Sequence, residues 1–114
     1  MPKAELEFID PHKLPDHEWV TPAGYPEGFK QLIITEDKET GAFTRLMRAA
    51  PGAAGTATLT HETWEEVYII EGSLTYCGKV YPAGSVAVRP PGMPHGPFSS
   101  PNGALMFEVH YRSK

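Results

Sequence analysis

Short apolar runs recur along the chain, alternate with polar residues, and are cut apart by Pro and Gly. "FKQLIIT" (29–35) reads as a strand, "EDKETG" as a turn and "AFTRLMRA" (42–49) as the returning strand, so the three form a hairpin. "APGAAG" breaks the chain, and "TATLTH" (56–61), "EEVYIIE" (65–71), "SLTY" (73–76) and "KVYP" (79–82) follow as strands, the last two flanking the turn "CGK". "SVAVRP" is a strand that ends in "PPGMPHG", where prolines forbid regular ladder pairing. "ALMFEVHYR" (104–112) is the last strand. No segment carries an amphipathic helix pattern. Residues 1–28 are Pro-rich and read as an extended arm with at most one short strand, tacked to the body by Phe8, Ile9 and Trp19. Strands at this spacing predict an all-β sandwich or barrel: one domain, in which the arm 1–28 belongs with a barrel over 29–114.

Composition narrows the function classes. The chain of 114 residues is 40% apolar and 21% charged, which suits a folded domain with a core of its own. Its net charge of -4 comes with no basic block, which argues against a nucleic-acid partner and against an anionic membrane surface. No apolar stretch reaches the length of a membrane span, and "MPKAELEFID" lacks the apolar centre of a signal peptide, so a cytoplasmic location is expected. The one cysteine, Cys77, excludes an internal disulfide; in a turn with no activating neighbour, it is expected to be a bystander.

Candidate chemistry centres on "HETWEEVYIIEG" (61–72). On an extended strand His61, Thr63, Glu65, Val67 and Ile69 share one face, and Glu66, Tyr68 and Ile70 share the other. An imidazole and a carboxylate beside an apolar interior are costly unless paired or metal-bound. His95 follows a rigid Gly-Pro path that would hold a ligand in place. Together His61, Glu65 and His95 make a two-histidine, one-carboxylate set, suited to a divalent transition metal: Fe, Mn, Zn or Ni. His12 and His17, in the arm, read as surface residues. His110 shares a face with Met106 and Glu108. Turned inward, that face would bring His110 to the pocket as a catalytic proton donor or outer partner of the metal. The opposite face, Leu105, Phe107, Val109 and Tyr111, is the more apolar one, and if it packs inward His110 lies outside. Thr63 and Phe98 are the candidates for a substrate-pocket wall. Trp64, Tyr68, Tyr76 and Tyr81 read as core or dimer-interface aromatics.

"GSVAVRPPGMPHGPFSS" resembles the second conserved motif of the cupins, G-x5-P-x-G-x2-H-x3-N, with Gly84, Pro90, Gly92 and His95 in place and Ser99 where the motif has Asn. The second half of the first motif is also similar: Glu65, six residues, Gly72. Counted back from Glu65, His61 takes the place of that motif's second histidine and Leu59 stands where the first would be. Counted from Gly55, His61 would be the first and Thr63 would stand for the second, but the spacing to Glu65 is then lost. The register set from Glu65 is preferred because it keeps Gly72.

The resemblance covers residues 40–112 and implies a small jelly-roll β-barrel. It also implies a metal-dependent enzyme acting on a small carbonyl- or hydroxyl-bearing molecule, foremost by dioxygenase-type oxidation. Non-redox isomerase, lyase or cyclase chemistry is the first alternative. A non-catalytic small-molecule binder or metal sensor, like the cupin half of certain anti-sigma factors, is the second. Cupins commonly pair, so a homodimer is expected.

Overall fold

A computed structural model describes residues 6–55 and 58–112. Eight strands carry the fold: β1 (Phe29–Asp37), β2 (Ala42–Ala49), β3 (Ala53–Ala54), β4 (Trp64–Tyr76), β5 (Lys79–Pro82), β6 (Val86–Arg89), β7 (Phe98–Ser100) and β8 (Ala104–Tyr111). All pairings are antiparallel, and β4 is the spine. Its first half lies between β8 and β6, in a layer continued by β2 and β1. Its second half lies between β5 and β7, and β3 pairs with β7. The result is the expected curled antiparallel jelly roll. No helix among the described residues is long and apolar enough to cross a membrane.

The stretches 65–71 and 73–76 are therefore one strand of 13 residues. A bulge between Ile69 and Glu71, and Gly72 with φ of +75°, bend it from one layer into the other. Only glycine fits the bend, because a Cβ there would run into the carbonyl of Gly103. The turn "CGK" is a tight hairpin in which Cys77 (φ 53°) and Gly78 (φ 76°) are both left-handed, as a type I′ turn requires. Cys77 is exposed.

Three expectations need correction. "TATLTH" forms no strand over its described residues: Leu59 makes one isolated bridge, to His95, and residues 56 and 57 lie outside the described part. Two short strands, β3 and β7, sit where Pro and Gly suggested only breaks. In the arm, Trp19 is buried but Phe8 and Ile9 are exposed. The arm holds two single 3-10 turns and one bridge, Val20 to Gln31, which lays Trp19 against Leu46 and Leu105 on the outer side of the sheet.

Strand parity orders the interior in rows across β2, β8, β4 and β6. The deepest is apolar, with Met47, Met106 and Ile69 in register. The next carries Arg45, Glu108, Val67 and Ala87. The last, at one end of the barrel, carries Phe43, His110, Glu65 and Arg89. A dry core thus grades into a polar row at the mouth.

Candidate metal centre

Glu65 is 3% exposed at the start of β4, and its neighbour Glu66 points outward, where it accepts a hydrogen bond from the Tyr111 hydroxyl at 2.6 Å. The parity read from the sequence holds from Glu65 onward. His61 and Thr63 lie not on a strand but in the bend before it. Two backbone hydrogen bonds between Leu59 and His95, and one from Gly92 to the His61 carbonyl, tie this bend to the Pro-rich loop. Those ties bring His61 and His95 together, with ring centroids 4.9 Å apart.

The donors of His61, Glu65 and His95 all lie within 4.8 Å of one another. His95 Nδ1 donates to the Met93 carbonyl at 3.2 Å. A carbonyl only accepts, so the neutral ring carries its lone pair on Nε2, which faces Glu65 Oε1 at 3.5 Å. Two lone pairs so opposed repel unless a cation lies between them. His61 Nε2 is buried with no hydrogen-bond partner, a state that is costly for a polar atom. Burial lowers the pKa of both His61 and His95, keeping them neutral, as metal ligation requires. The residues therefore fit a divalent metal.

His110 is 1% exposed and lies inside the barrel. Of the two orientations open for β8, the face with Met106 and Glu108 packs inward, while Phe107 is exposed. His110 stacks on Phe43 at 4.3 Å and is hydrogen-bonded through Nδ1 to the Thr63 hydroxyl at 3.3 Å. Its Nε2 lies 3.2 Å from Glu65 Oε2 and 3.1 Å from Glu108 Oε1. Burial would lower its pKa, but the hydrogen bonds to Glu108 and Glu65 outweigh that and raise it. For Glu65 burial works upward, yet the His110 hydrogen bond and the charges of His110 and Arg89 hold the carboxyl well below the usual range. The three interior histidines thus divide: two keep a lone pair for a metal, and one keeps a proton between carboxylates. Glu65, Glu108 and His110 form a second group with metal-ligating donors within 4.8 Å, sharing Glu65 with the first.

Several partners were not singled out from the sequence. Glu108 receives Arg45 Nε at 2.7 Å, and Arg45 also donates to Gln31 Oε1 at 2.8 Å and to the Tyr25 hydroxyl at 2.9 Å. Burial pushes the Tyr25 phenol up to about 12, against the opposing pull of Arg45. Arg89 Nη1 donates to Glu65 Oε1 at 3.1 Å. The signal was present for Arg45, which alternates with Met47 and Ala49, as core residues would. Phe98 borders the two cavities described below, and the Thr63 hydroxyl lies against His110 Nδ1. His12 and His17 are exposed; His12 pairs with Glu71 at 3.0 Å.

A cavity of about 40 Å³ reaches Glu65 and His95 between Met47, Leu74, Phe98 and Met106. A larger one of about 320 Å³, beside β6, shares Val67, Leu74, Arg89 and Phe98 with it and opens to solvent.

Known structures match this architecture. An acetylacetone dioxygenase from Acinetobacter johnsonii superposes with a TM-score of 0.73 at 16% identity, over 95% of this chain and 75% of that one. An RmlC-like cupin from Shewanella frigidimarina gives 0.70 at 21% identity, over 100% and 96%. The polyketide cyclase RemF from Streptomyces resistomycificus gives 0.68 at 14% identity, over 96% and 81%. At such identities the likeness is one of fold. No curated protein sequence matches. The ChrR cupin-like domain family matches residues 10–113, nearly the whole length, and the chain belongs to that family.

Proposed function

We propose that the protein is a metal-dependent enzyme acting on a small carbonyl- or hydroxyl-bearing molecule, by dioxygenase-type oxidation, with His61, Glu65 and His95 as ligands. The observation that carries this is the buried, unpartnered Nε2 of His61 beside the opposed lone pairs of His95 and Glu65. A divalent metal with three protein ligands supplies open positions and Lewis acidity for a substrate oxygen and a small co-ligand. The chain's own residues do the rest. Arg89 and His110 fix the Glu65 carboxylate from two sides, as outer partners of a ligand do. Glu108 and Thr63 fix His110, which holds a proton on Nε2 within reach of the centre. Val67, Leu74, Met106 and Phe98 give the small cavity beside it an apolar wall. The acetylacetone dioxygenase likeness supports the oxidative class. The His110 Nε2–H, held between Glu65 and Glu108, favours one second reading, non-redox acid-base chemistry of an isomerase, lyase or cyclase.

The test is oxygen uptake by iron(II)-loaded and zinc-loaded protein, offered acetylacetone and a hydroxyacetophenone. Uptake by the iron form alone, one O2 per substrate consumed, is the expected result. Substrate loss with zinc and without oxygen would replace oxidation by the non-redox reading. The expected homodimer keeps its support in Tyr68, Val86, Val88 and Phe107, which lie exposed on the outer face of β4, β6 and β8. Sedimentation velocity reads it, and a monomer at tens of micromolar removes it.

A further inference from the structure

The larger cavity differs in character from the ligand cluster behind it. Apart from Ser85 and Arg89 its walls are apolar or aromatic, including Val67, Leu74, Tyr76, Tyr81 and Met93, and Arg89 is the one charged residue among the described residues that line it. The Arg89 guanidinium lies 5.4 Å from the Phe98 ring centroid and 5.9 Å from that of Tyr76, and those two rings stack at 5.0 Å. One N–H is bound to Glu65. A guanidinium has five N–H donors in a rigid fork, so most remain for a ligand. The aromatic platform and the Glu65 bond hold that fork in one orientation before anything binds.

Charge points the same way. Arg45 and Arg89 balance Glu65 and Glu108 in the buried rows. A divalent ion among His61, Glu65 and His95 adds two positive charges that these four residues, already balanced, do not cancel. Uncompensated charge in a partly dry site is expensive, and an anionic ligand relieves it.

We propose that the larger cavity takes a small apolar or aromatic monoanion, and that Arg89 holds its carboxylate or enolate oxygen next to the metal centre. The proposal rests on the metal centre put forward above. A volume of about 320 Å³ is at the small end for ligand pockets, which run to about 1,000 Å³, so a single ring or a short branched chain is the fitting size. Because Val67, Leu74, Arg89 and Phe98 border both cavities, a ligand anchored there has its head directed toward Glu65 and His95.

The test is calorimetric titration of zinc-loaded protein with benzoate and with its neutral isostere benzamide. Zinc content is measured on every sample. Benzoate is expected to bind at least about tenfold more tightly, the usual worth of a charge-assisted hydrogen bond. Arg89→Met at equal zinc content should reduce that preference to about threefold or less, and Arg89→Lys, which keeps a cation beside Glu65, should restore part of it. If Arg89→Met cannot be loaded, Arg89→Lys is compared with the parent alone, and the loss of the bidentate fork should still weaken benzoate more than benzamide. Equal binding of the two probes to zinc-loaded parent overturns the anion proposal and leaves the metal centre standing. So does an undiminished preference in the variants, since the metal alone then holds the anion. A parent that holds no zinc overturns the metal centre, and this proposal with it.

Discussion

Glu108→Ala is expected to destabilise the fold by about 3–5 kcal/mol, the usual cost of leaving one member of a buried ion pair alone. Both side chains of the Arg45–Glu108 pair are nearly inaccessible, at 5% and 7%. Removing the carboxylate strands the guanidinium with only Gln31 and Tyr25, neither of which carries compensating charge. It also takes a partner from His110. Folded domains have only about 5–15 kcal/mol to lose, so the effect is large in a urea melt. Glu108→Leu with Arg45→Met should recover most of the loss, because an apolar pair of similar volume needs no desolvation of charge. A loss under about 1 kcal/mol for Glu108→Ala would put the pair in solvent-like surroundings and contradict the interior described above.

Glu65→Gln is expected to weaken metal binding by more than about 100-fold, since even outer partners of a ligand contribute 10–100-fold. A neutral amide is a far poorer ligand for a divalent cation. Glu66→Gln, one residue away, should leave metal content nearly unchanged, because its side chain is outside and Gln can still accept from Tyr111. Melting both variants with and without chelator separates metal loss from the loss of the Arg89 and His110 contacts, which Glu65→Gln also weakens. Chelator should lower the melting temperature of the parent and of Glu66→Gln and leave Glu65→Gln where it is. Loss with Glu66→Gln and none with Glu65→Gln would contradict the strand parity.

The strands were legible wherever alternation was strong. β1, β2, β6 and β8 follow from it, and so does the inward turn of Glu65, Val67 and Ile69. Gly72 was read as the end of a motif, but its role as a bend within one long strand depends on the approach of Gly103, which no local pattern encodes. β3 and β7 were missed for a like reason: Ala53–Ala54 and Phe98–Ser100 have little strand character of their own and are ordered by pairing with each other and with β4. Of the three apolar anchors expected in the arm, Trp19 is buried, and Phe8 and Ile9 face solvent.

For the centre, strand parity, the rigid loop before His95 and the resemblance to the cupin motifs pointed to His61, Glu65 and His95. None of these signals could orient β8, where the more apolar face turned out to be the outer one. On the inner face Arg45 of β2 neutralises Glu108 of β8, and that pairing is long-range. A charged residue at core parity in "AFTRLMRA" and another in "ALMFEVHY" were the visible signs of it.

The measurement that tests the metal centre most directly is elemental analysis of the protein purified without chelator, repeated on Glu65→Gln and on His95→Ala. One equivalent of iron, or of another divalent transition metal, in the parent and almost none in either variant is the expected result. A parent without metal that cannot be loaded with iron(II), zinc, manganese or nickel would contradict it, and the His61–Glu65–His95 cluster would then be a buried polar network and nothing more.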